Sequence, residues 1–268
     1  AYGRVSGVAV DPIEKKPLYH FLPASRSLSF GTIGCNLLCR FCQNWHISKP
    51  SDESALDPEP VTPDQIVAAA QRTGSASISY TYNEPIVSYE FTLDCAAAAR
   101  EAGLRNVAVT AGYIEPEPRA AFFGLMDAAN IDLKSFRESF YRRLCGVHLQ
   151  PVLDTIEYVH GLDTCWLELT TLIIPGENDS AREIRELSEW VLTRLGPDVP
   201  LHFSAFHPNY RMDDRLVTPL ETLREARRIA KEVGLRHVYT GNVWDDDGAT
   251  TWCARCGLAL IRRRGFAV

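Results

Sequence analysis

Short apolar runs recur along the chain, separated by polar stretches that carry the signals of helix ends. The runs rich in β-branched and aromatic residues begin at Leu28, Ala76, Asn106, Asn130, Cys165, Leu201 and His237. Runs of this kind, bounded by turn-forming residues, predict buried strands. Helices are predicted between them, so strands and helices alternate along most of the chain.

The clearest helix starts are two threonines that precede prolines. Thr62 stands before Pro63 with Gln65 three positions on, and Thr218 stands before Pro219. A threonine N-cap, a proline in the first turn and a glutamine or glutamate at the third helical position are typical of a capping box. We therefore predict helices that begin directly after Thr62 and after Thr218.

The alternation predicts the α/β class with right-handed crossovers and a parallel sheet, because parallel neighbours need a long connection. Periodicity alone leaves open whether the sheet curls into a full or partial barrel or lies open as a doubly wound sheet. We predict three parts: an N-terminal extension packed on the core at 1–27, the strand–helix core at 28–241, and a C-terminal extension at 242–268.

Composition and charge exclude several classes of protein. Of 268 residues, 46% are apolar and 23% are charged, as in ordinary globular proteins, and no run approaches the ~18 consecutive apolar residues of a membrane span. The formal charge of −6 gives no general attraction to nucleic acid or to anionic lipid. We therefore expect neither partner. The three arginines at 262–264 are typical of a solvated face.

Cysteine use bears on the cellular compartment. Eight cysteines in 268 residues are too few for a small disulfide-stabilised scaffold, and no charged-then-apolar leader precedes them. We therefore predict a cytoplasmic protein. The chain begins at Ala1 rather than at methionine, and we expect further residues upstream.

Three cysteines, Cys35, Cys39 and Cys42, lie within eight residues directly after the first predicted strand. A structural zinc ion requires four ligands, and a cubane iron–sulfur cluster that is held entirely by protein also requires four. Three thiolates leave one cluster iron open for a substrate or cofactor. The other interpretations are three buried cysteines that happen to be close, or three ligands of a zinc site completed elsewhere.

The pattern Cys-x3-Cys-x2-Cys, with Phe41 just before the third cysteine, resembles the signature of the radical S-adenosylmethionine (SAM) superfamily. The resemblance implies a partial barrel of six β/α units and a 4Fe-4S cluster whose open iron binds SAM. A low-potential electron donor reduces the cluster, SAM is cleaved to methionine and a 5′-deoxyadenosyl radical, and the radical abstracts hydrogen from a substrate. Phe41 would pack near the cluster and adenine; otherwise it is a core aromatic.

Polar residues follow several predicted strands, at the end where parallel α/β barrels carry their functional groups. Glu84 follows the second strand, Asp132 and Lys134 end the fourth on one face, and His207 follows the sixth. Each also has a structural interpretation: a charge at a helix start for Glu84, an ion pair for Asp132 with Lys134, and a surface-loop histidine for His207.

The resemblance extends to the Glu84 loop. Asn83 and Glu84 match the family loop that holds the methionyl amino group of SAM. Tyr82 and Asn83 stand where that loop has two glycines, which leaves backbone contacts available but changes the local geometry.

The Asp-x-Lys pattern resembles that of the pyruvate formate-lyase activating enzymes. By this likeness Lys134 would contact the SAM carboxylate, Asp132 a bound cation or the same end of SAM, and His207 the ribose or carboxylate. The likeness to activating enzymes also favours a macromolecular substrate, such as a protein glycine.

Four segments, at 11–23, 30–48, 79–85 and 252–266, together resemble the radical SAM enzymes of the AmmeMemoRadiSam system. Members of that family begin further upstream with a cysteine-rich segment. The motifs do not reveal the family's physiological substrate.

Cys253 and Cys256 form a Cys-x2-Cys pair, the shape of half a zinc site. A second pair of ligands could come from an upstream segment, or from Cys145 or His148; free thiols in a turn are the competing interpretation. If these cysteines and the first three all serve structure or electron storage, the protein is a non-catalytic iron–sulfur electron carrier or a zinc-stabilised interaction module.

Overall fold

The computed structural model describes residues 2–49 and 59–268. Among these residues, eight strands form one sheet in sequence order. The strands are β1 Gly7–Pro12, β2 Arg26–Gly31, β3 Ser77–Tyr80, β4 Arg105–Thr110, β5 Ala128–Asp132, β6 Trp166–Ile173, β7 Leu201–Ala205 and β8 Val238–Gly241. β1 is antiparallel to β2, and every later pair is parallel.

The predicted α/β class with a parallel sheet is confirmed, and all seven predicted apolar runs contribute strands, β2 to β8. In the described part of the chain this is one parallel strand more than the six units that the family resemblance implied. β1 and β8 are the two ends of the strand order, and the sheet is not closed between them there.

Helices connect the parallel strands, and one more short helix follows β8. They are α1 Trp45–Ser48, α2 Pro63–Arg72, α3 Tyr89–Glu101, α4 Pro116–Gly124, α5 Glu138–Phe140, α6 Gln150–His160, α7 Ala181–Leu195, α8 Leu220–Val233 and α9 Asp246–Ala249. α5 continues as a π-helical turn, Tyr141–Cys145. Two short strands, β9 Thr251–Trp252 and β10 Ala259–Ile261, pair near the C-terminus. Of the helices described, none has the length and apolar character needed to cross a membrane.

One of the two predicted helix caps is confirmed. The Thr62 hydroxyl accepts the N–H of Gln65 at 3.3 Å, and the Gln65 side chain accepts the N–H of Thr62 at 2.8 Å. The cap predicted at Thr218 is wrong: α8 begins at Leu220, and the Thr218 hydroxyl donates to the carbonyl oxygen of Ile173 at 2.5 Å. This hydroxyl therefore bonds to the last residue of β6 and does not cap a helix N-terminus.

After β1 the chain turns across the inner face of the sheet, and we call residues 13–20 the floor segment. Ile13 in this segment packs on Val107 and Ala128 in an apolar cluster separate from the main core. The next residues along those strands, Ala108 and Ala129, lie in the main core. Because side chains alternate along a strand, the floor segment covers the face opposite to that core.

The C-terminal extension fastens the floor segment through Arg263. The Arg263 guanidinium donates to the carbonyl oxygen of Tyr19 at 2.7 Å and to the hydroxyl of Thr251 at 2.8 Å. It also lies 4.1 Å from the centre of the Tyr19 ring. The expectation of a solvated arginine run is therefore wrong for Arg263, which is buried, although Arg262 and Arg264 are exposed.

Replacing Arg263 with methionine is expected to lower the free energy of unfolding by about 3 kcal/mol, because it leaves buried acceptors and the Glu14 carboxylate without their cation. The matched change Arg262→Met alters an exposed neighbour and should have little effect. Urea denaturation of both variants measures the difference. Equal stabilities would show that Arg263 does not fasten the floor segment.

Candidate active site

A cavity of about 640 Å³ lies on the inner side of the sheet, within the range of ~300–1,000 Å³ that is usual for ligand sites. Eight of the predicted site residues line it: Cys35, Cys39, Phe41, Cys42, Asn83, Glu84, Asp132 and Lys134. These residues follow the carboxyl ends of β2, β3 and β5. The floor segment contributes Glu14, Lys16 and Tyr19 to the same cavity, so this end of the chain also shapes the site.

Backbone contacts hold the loop that carries the three cysteines. The N–H of Leu38 donates to the carbonyl oxygen of Cys145 at 2.7 Å, which ties the loop to the π-helical turn. The Lys49 ammonium donates to the carbonyl oxygen of Cys35 at 2.7 Å. Because backbone atoms make these contacts, the loop does not depend on the thiols for its position.

Burial and hydrogen bonding favour the protonated form of the three thiols. Burial raises the pKa of Cys35 to about 11 and also raises the pKa of Cys42. A hydrogen bond with the Cys145 thiol, together with burial, raises the pKa of Cys39. Iron binding must therefore displace protons from this loop.

The donor set fits a 4Fe-4S cluster. Three soft sulfur donors face one cavity, as thiolate-bound iron requires, and three protein ligands leave one of the four irons available to another molecule. Across residues 2–49 and 59–268, no three His, Cys, Asp or Glu side chains are placed to share one metal ion. Each protein ligand of a cubane cluster binds a different iron, so the three thiols need not converge on one point.

Tyr82 and Asn83, which stand where the resembled family loop has two glycines, make hydrogen bonds through their side chains. The Asn83 amide donates to the carbonyl oxygen of Gly34 at 2.7 Å, at the start of the cysteine loop. A Cβ on Gly31 would lie 3.0 Å from Asn83 Oδ1 and 2.9 Å from the Thr81 carbonyl oxygen, so the close approach depends on glycine at this position. Tyr82 has a φ of 71°, and its hydroxyl donates a hydrogen bond to Asp11 Oδ2 at 2.7 Å.

Glu84 is a buried carboxylate at the edge of the cavity. It accepts hydrogen bonds from the Thr110 hydroxyl at 2.5 Å and from the Ala111 N–H at 2.7 Å, both at the end of β4. Burial raises the pKa of Glu84 to about 6, although these donors oppose the shift. The predicted structural role at a helix start is also present, since the Glu84 side chain accepts the N–H of Ile86 at the start of a short 3-10 helix, Pro85–Ser88, that precedes α3.

Asp132 and Lys134 form the ion pair that their spacing predicts, at 2.6 Å between Lys134 Nζ and Asp132 Oδ2. Burial is the largest single influence and lowers the pKa of Lys134, but the Asp132 carboxylate and the Cys39 and Cys145 sulfurs together outweigh burial and raise that pKa above its usual range. The Lys134 side chain, which is 12% exposed, therefore brings a positive charge to the cavity lining. The side chain of Asn178 holds the backbone of Lys134 in place by donating to the Lys134 carbonyl oxygen at 2.7 Å.

Phe41 and His207 differ in their placement. Phe41 is buried at the cavity wall, with its ring centre 5.8 Å from that of Phe140. His207 is exposed, with Nε2 3.4 Å from the carbonyl oxygen of Asn242, and it is not among the described residues that line the cavity. The SAM contact of His207 stays a prediction that this geometry does not support.

The Cys-x2-Cys pair lies apart from this cavity. Cys253 lines a second cavity beside Trp252, and Cys256 is exposed. Backbone N–H groups of Cys256 and Arg255 hydrogen-bond to the Cys253 thiol and lower its pKa. Since the described residues contain no set of three suitable side chains around one point, they offer this pair no further ligand, and the predicted zinc ion has no support in them.

The floor segment is the part of the site that sequence reasoning missed. Its residues belong to a stretch that was predicted only to pack outside the core. Two side chains position it through three hydrogen bonds: the Asn130 amide donates to the Pro17 carbonyl oxygen at 2.8 Å, and Glu168 accepts the N–H groups of Tyr19 and His20 at 3.0 Å and 2.8 Å. The local signals were a cluster of charged residues in an otherwise turn-like segment and the family resemblance of residues 11–23.

A partly buried histidine at the end of the floor segment makes stability depend on pH. Burial lowers the pKa of His20 from 6.5 to about 4, and its Nε2 lies 2.6 Å from the Tyr239 hydroxyl. Between these two pKa values the unfolded chain binds a proton that the folded chain does not, so the free energy of unfolding falls as the pH falls. Urea unfolding from about pH 7 to pH 5 should show a smaller decrease for His20→Gln. The exposed His160→Gln control should keep the full decrease.

Comparison with known proteins gives the family. The model of the radical SAM superfamily matches residues 30–188. The uncharacterized protein MJ0808 of Methanocaldococcus jannaschii is 46% identical over 266 residues, which cover 99% of this chain and 78% of that protein.

Two solved structures share the fold. A domain of the pyruvate-formate lyase-activating enzyme of Bacteroides vulgatus matches with a TM-score of 0.55 and 18% identity, over 63% of this chain and all of that one. Streptococcus suis SuiB bound to S-adenosylmethionine matches with a TM-score of 0.61 and 12% identity, over 79% of this chain and 49% of SuiB. At these identities they show the fold alone. Because the family model matches more than half of the chain, this chain belongs to the radical SAM superfamily.

Proposed function

We propose that this protein is a radical SAM enzyme that abstracts hydrogen from a substrate, with a low-potential electron donor as its reducing partner. When bound, a reduced 4Fe-4S cluster would supply the electron that cleaves SAM to methionine and a 5′-deoxyadenosyl radical. The observation that carries the proposal is the convergence of three thiols, a buried lysine and a buried glutamate on one cavity.

The residues of the chain have distinct tasks in this proposal. Cys35, Cys39 and Cys42 hold three irons of the cluster. Lys134 binds the SAM carboxylate with a charge-assisted hydrogen bond, and Asp132 keeps the Lys134 ammonium oriented and protonated. The other residues position these groups and keep water from the reacting atoms.

Glu84 and Asn83 act together in the proposed SAM site. Asn83 holds the start of the cysteine loop through Gly34. Glu84 is the acceptor proposed for the SAM amino group. Its two hydrogen bonds from the end of β4 fix its orientation before SAM binds, which reduces the entropy lost on binding.

The narrower family and the substrate are also proposals. Membership in the AmmeMemoRadiSam system is supported by the four segments that resemble it. A protein glycine as substrate is supported by the fold likeness to the activating-enzyme domain, and SuiB bound to its precursor peptide shares the fold as well. A zinc ion at Cys253 and Cys256 would need ligands from outside the described residues.

One assay tests the proposed activity. The protein is reconstituted anaerobically with iron and sulfide, reduced with dithionite and given SAM, and 5′-deoxyadenosine is measured by chromatography. We expect its formation to depend on both the cluster and the reductant. An iron–sulfur electron carrier or a zinc-stabilised module would form none, and that result would overturn the proposal.

A further inference from the structure

A buried glutamate–histidine pair in the wall of the cavity has no task in the proposed SAM site. His202 on β7 lines the cavity, and its Nε2 lies 2.7 Å from Oε2 of Glu168 on β6. Both side chains are almost wholly buried. The sheet register aligns Asp132 with Thr170 and Thr170 with His202, so the backbone of His202 lies about 10 Å from that of Asp132, two strand spacings away. This distance matches a small substrate held beside SAM.

Glu168 fixes the position of the proton on the histidine ring. Burial by itself raises the pKa of Glu168, but hydrogen bonds from His202 and Tyr19, together with the nearby His20 imidazole, outweigh burial and lower that pKa. An ionised carboxylate accepts hydrogen bonds and donates none. In the neutral imidazole of His202 the proton therefore lies on Nε2, and Nδ1 is the hydrogen-bond acceptor.

This second ring nitrogen, Nδ1, is available to a ligand. It has no hydrogen-bond partner among the described residues, and it is not fully enclosed, in contrast to the unpaired Nδ1 of His237. The Tyr19 ring meets the imidazole of His202 edge-on with ring centres 4.8 Å apart, and the Tyr239 ring stacks on it at 5.1 Å. Because these two rings hold the plane of the imidazole, Nδ1 meets the cavity in one orientation.

The charges around the cavity favour a neutral ligand. Three carboxylates and three ammonium groups line it, on Glu14, Glu84, Asp132, Lys15, Lys16 and Lys134. Since these charges balance, the lining calls for neither an anion nor a cation. The simplest neutral group that donates a hydrogen bond, and that releases its proton to an imidazole, is a hydroxyl.

We infer that His202 is the acid–base residue of this cavity and that the substrate is a neutral alcohol whose reacting carbon carries the hydroxyl. Nδ1 accepts a hydrogen bond from that hydroxyl. As the carbon loses its hydrogen atom, the hydroxyl proton passes to Nδ1: one O–H bond breaks, one N–H bond forms, and this transfer moves no electron. Glu168 stabilises the imidazolium that results.

The inference rests on the proposed function, because it names the substrate class of the same cavity. A protein glycine has no hydroxyl on its reacting carbon, so the alcohol and the glycine are alternative substrates.

Two neutral probes of the same shape test the acceptor on cluster-loaded protein saturated with SAM. 2-Propanol donates a hydrogen bond, whereas acetone only accepts one. In protein labelled with nitrogen-15 at histidine, the Nδ1 resonance of His202 should shift saturably with 2-propanol and stay unchanged with acetone. The enclosed Nδ1 of His237 is the internal control and should not shift with either probe.

His202→Gln is the decisive variant, because the glutamine amide still donates to Glu168 while the acceptor at the position of Nδ1 is lost. Wild-type protein should bind 2-propanol about ten-fold more tightly than acetone, since one hydrogen bond in a buried site is worth about that factor. Ligand-observed saturation-transfer NMR should show this preference and its loss in the variant. The matched control His160→Gln, which changes an exposed histidine, should keep the preference.

Equal binding of the two probes by wild-type protein, or an unchanged preference in His202→Gln, would overturn the inference. A purely structural His202 would lower the melting temperature of the variant and leave the probe preference as it was. SAM cleavage by the wild-type preparation is measured in parallel. Cleavage without a preference for 2-propanol overturns this inference alone, whereas absence of cleavage overturns the proposed function.

Discussion

Replacing Cys42 with alanine is expected to abolish both cluster assembly and SAM cleavage. Two thiolates cannot hold a cubane that leaves one iron for SAM, because a second iron would then lack a protein ligand. Iron and sulfide content, visible absorbance and 5′-deoxyadenosine should all fall to the level of the unreconstituted protein. Cys42 is only partly buried, so the variant should still fold.

The control for this variant is Cys165→Ala. Cys165 is buried just before β6 and does not line the SAM cavity, so its loss should leave the iron content and SAM cleavage intact. A Cys42→Ala protein that retained full iron content and activity would show that Cys42 is not a cluster ligand. If both variants lost the cluster, general destabilisation would explain the result instead.

Replacing Lys134 with methionine is expected to weaken SAM binding by about 100-fold while the cluster still assembles. The variant keeps the length of the side chain but removes the buried cation, and a charge-assisted hydrogen bond is worth about 1.5–3 kcal/mol, or about 10- to 100-fold in affinity. The upper value applies because the Lys134 side chain is only 12% exposed and lines the cavity. Equilibrium dialysis of SAM against cluster-loaded protein measures the change.

Lys231→Met is the matched control, since Lys231 lies on α8 beside the second cavity, away from the SAM residues. It should leave SAM affinity unchanged. Loss of visible absorbance in Lys134→Met would mean that this lysine supports the cluster loop, and unchanged SAM affinity would mean that another group holds the carboxylate.

Much of the fold follows from local pattern. The seven apolar runs became β2 to β8, because buried parallel strands need continuous apolar sequence and long crossovers. Glu84, Asp132 and Lys134 were identifiable because they follow strands whose carboxyl ends meet at one edge. The spacing of Cys35, Cys39 and Cys42 placed three thiols in one loop without reference to any distant residue.

Local pattern failed where a polar group has a distant partner. Thr218 precedes a proline as an N-cap does, yet its hydroxyl donates to Ile173. The arginine run reads as a solvated face, but Arg263 is buried against Tyr19, 244 positions away. A short motif reports which bonds a side chain can make, and the packing of remote segments decides which of them it does make.

The sequence by itself determined the α/β class, the apolar runs that form the parallel strands, and the cysteine loop. Each of these depends on residues that are close together in the chain. Only the tertiary structure decided that residues 13–20 cross the inner face of the sheet and bring Lys16 and Glu14 into the cavity with Thr170. The reason is physical: the floor segment is held by Asn130, Glu168 and Arg263. Contacts of such long range leave no periodicity in the segment that they position.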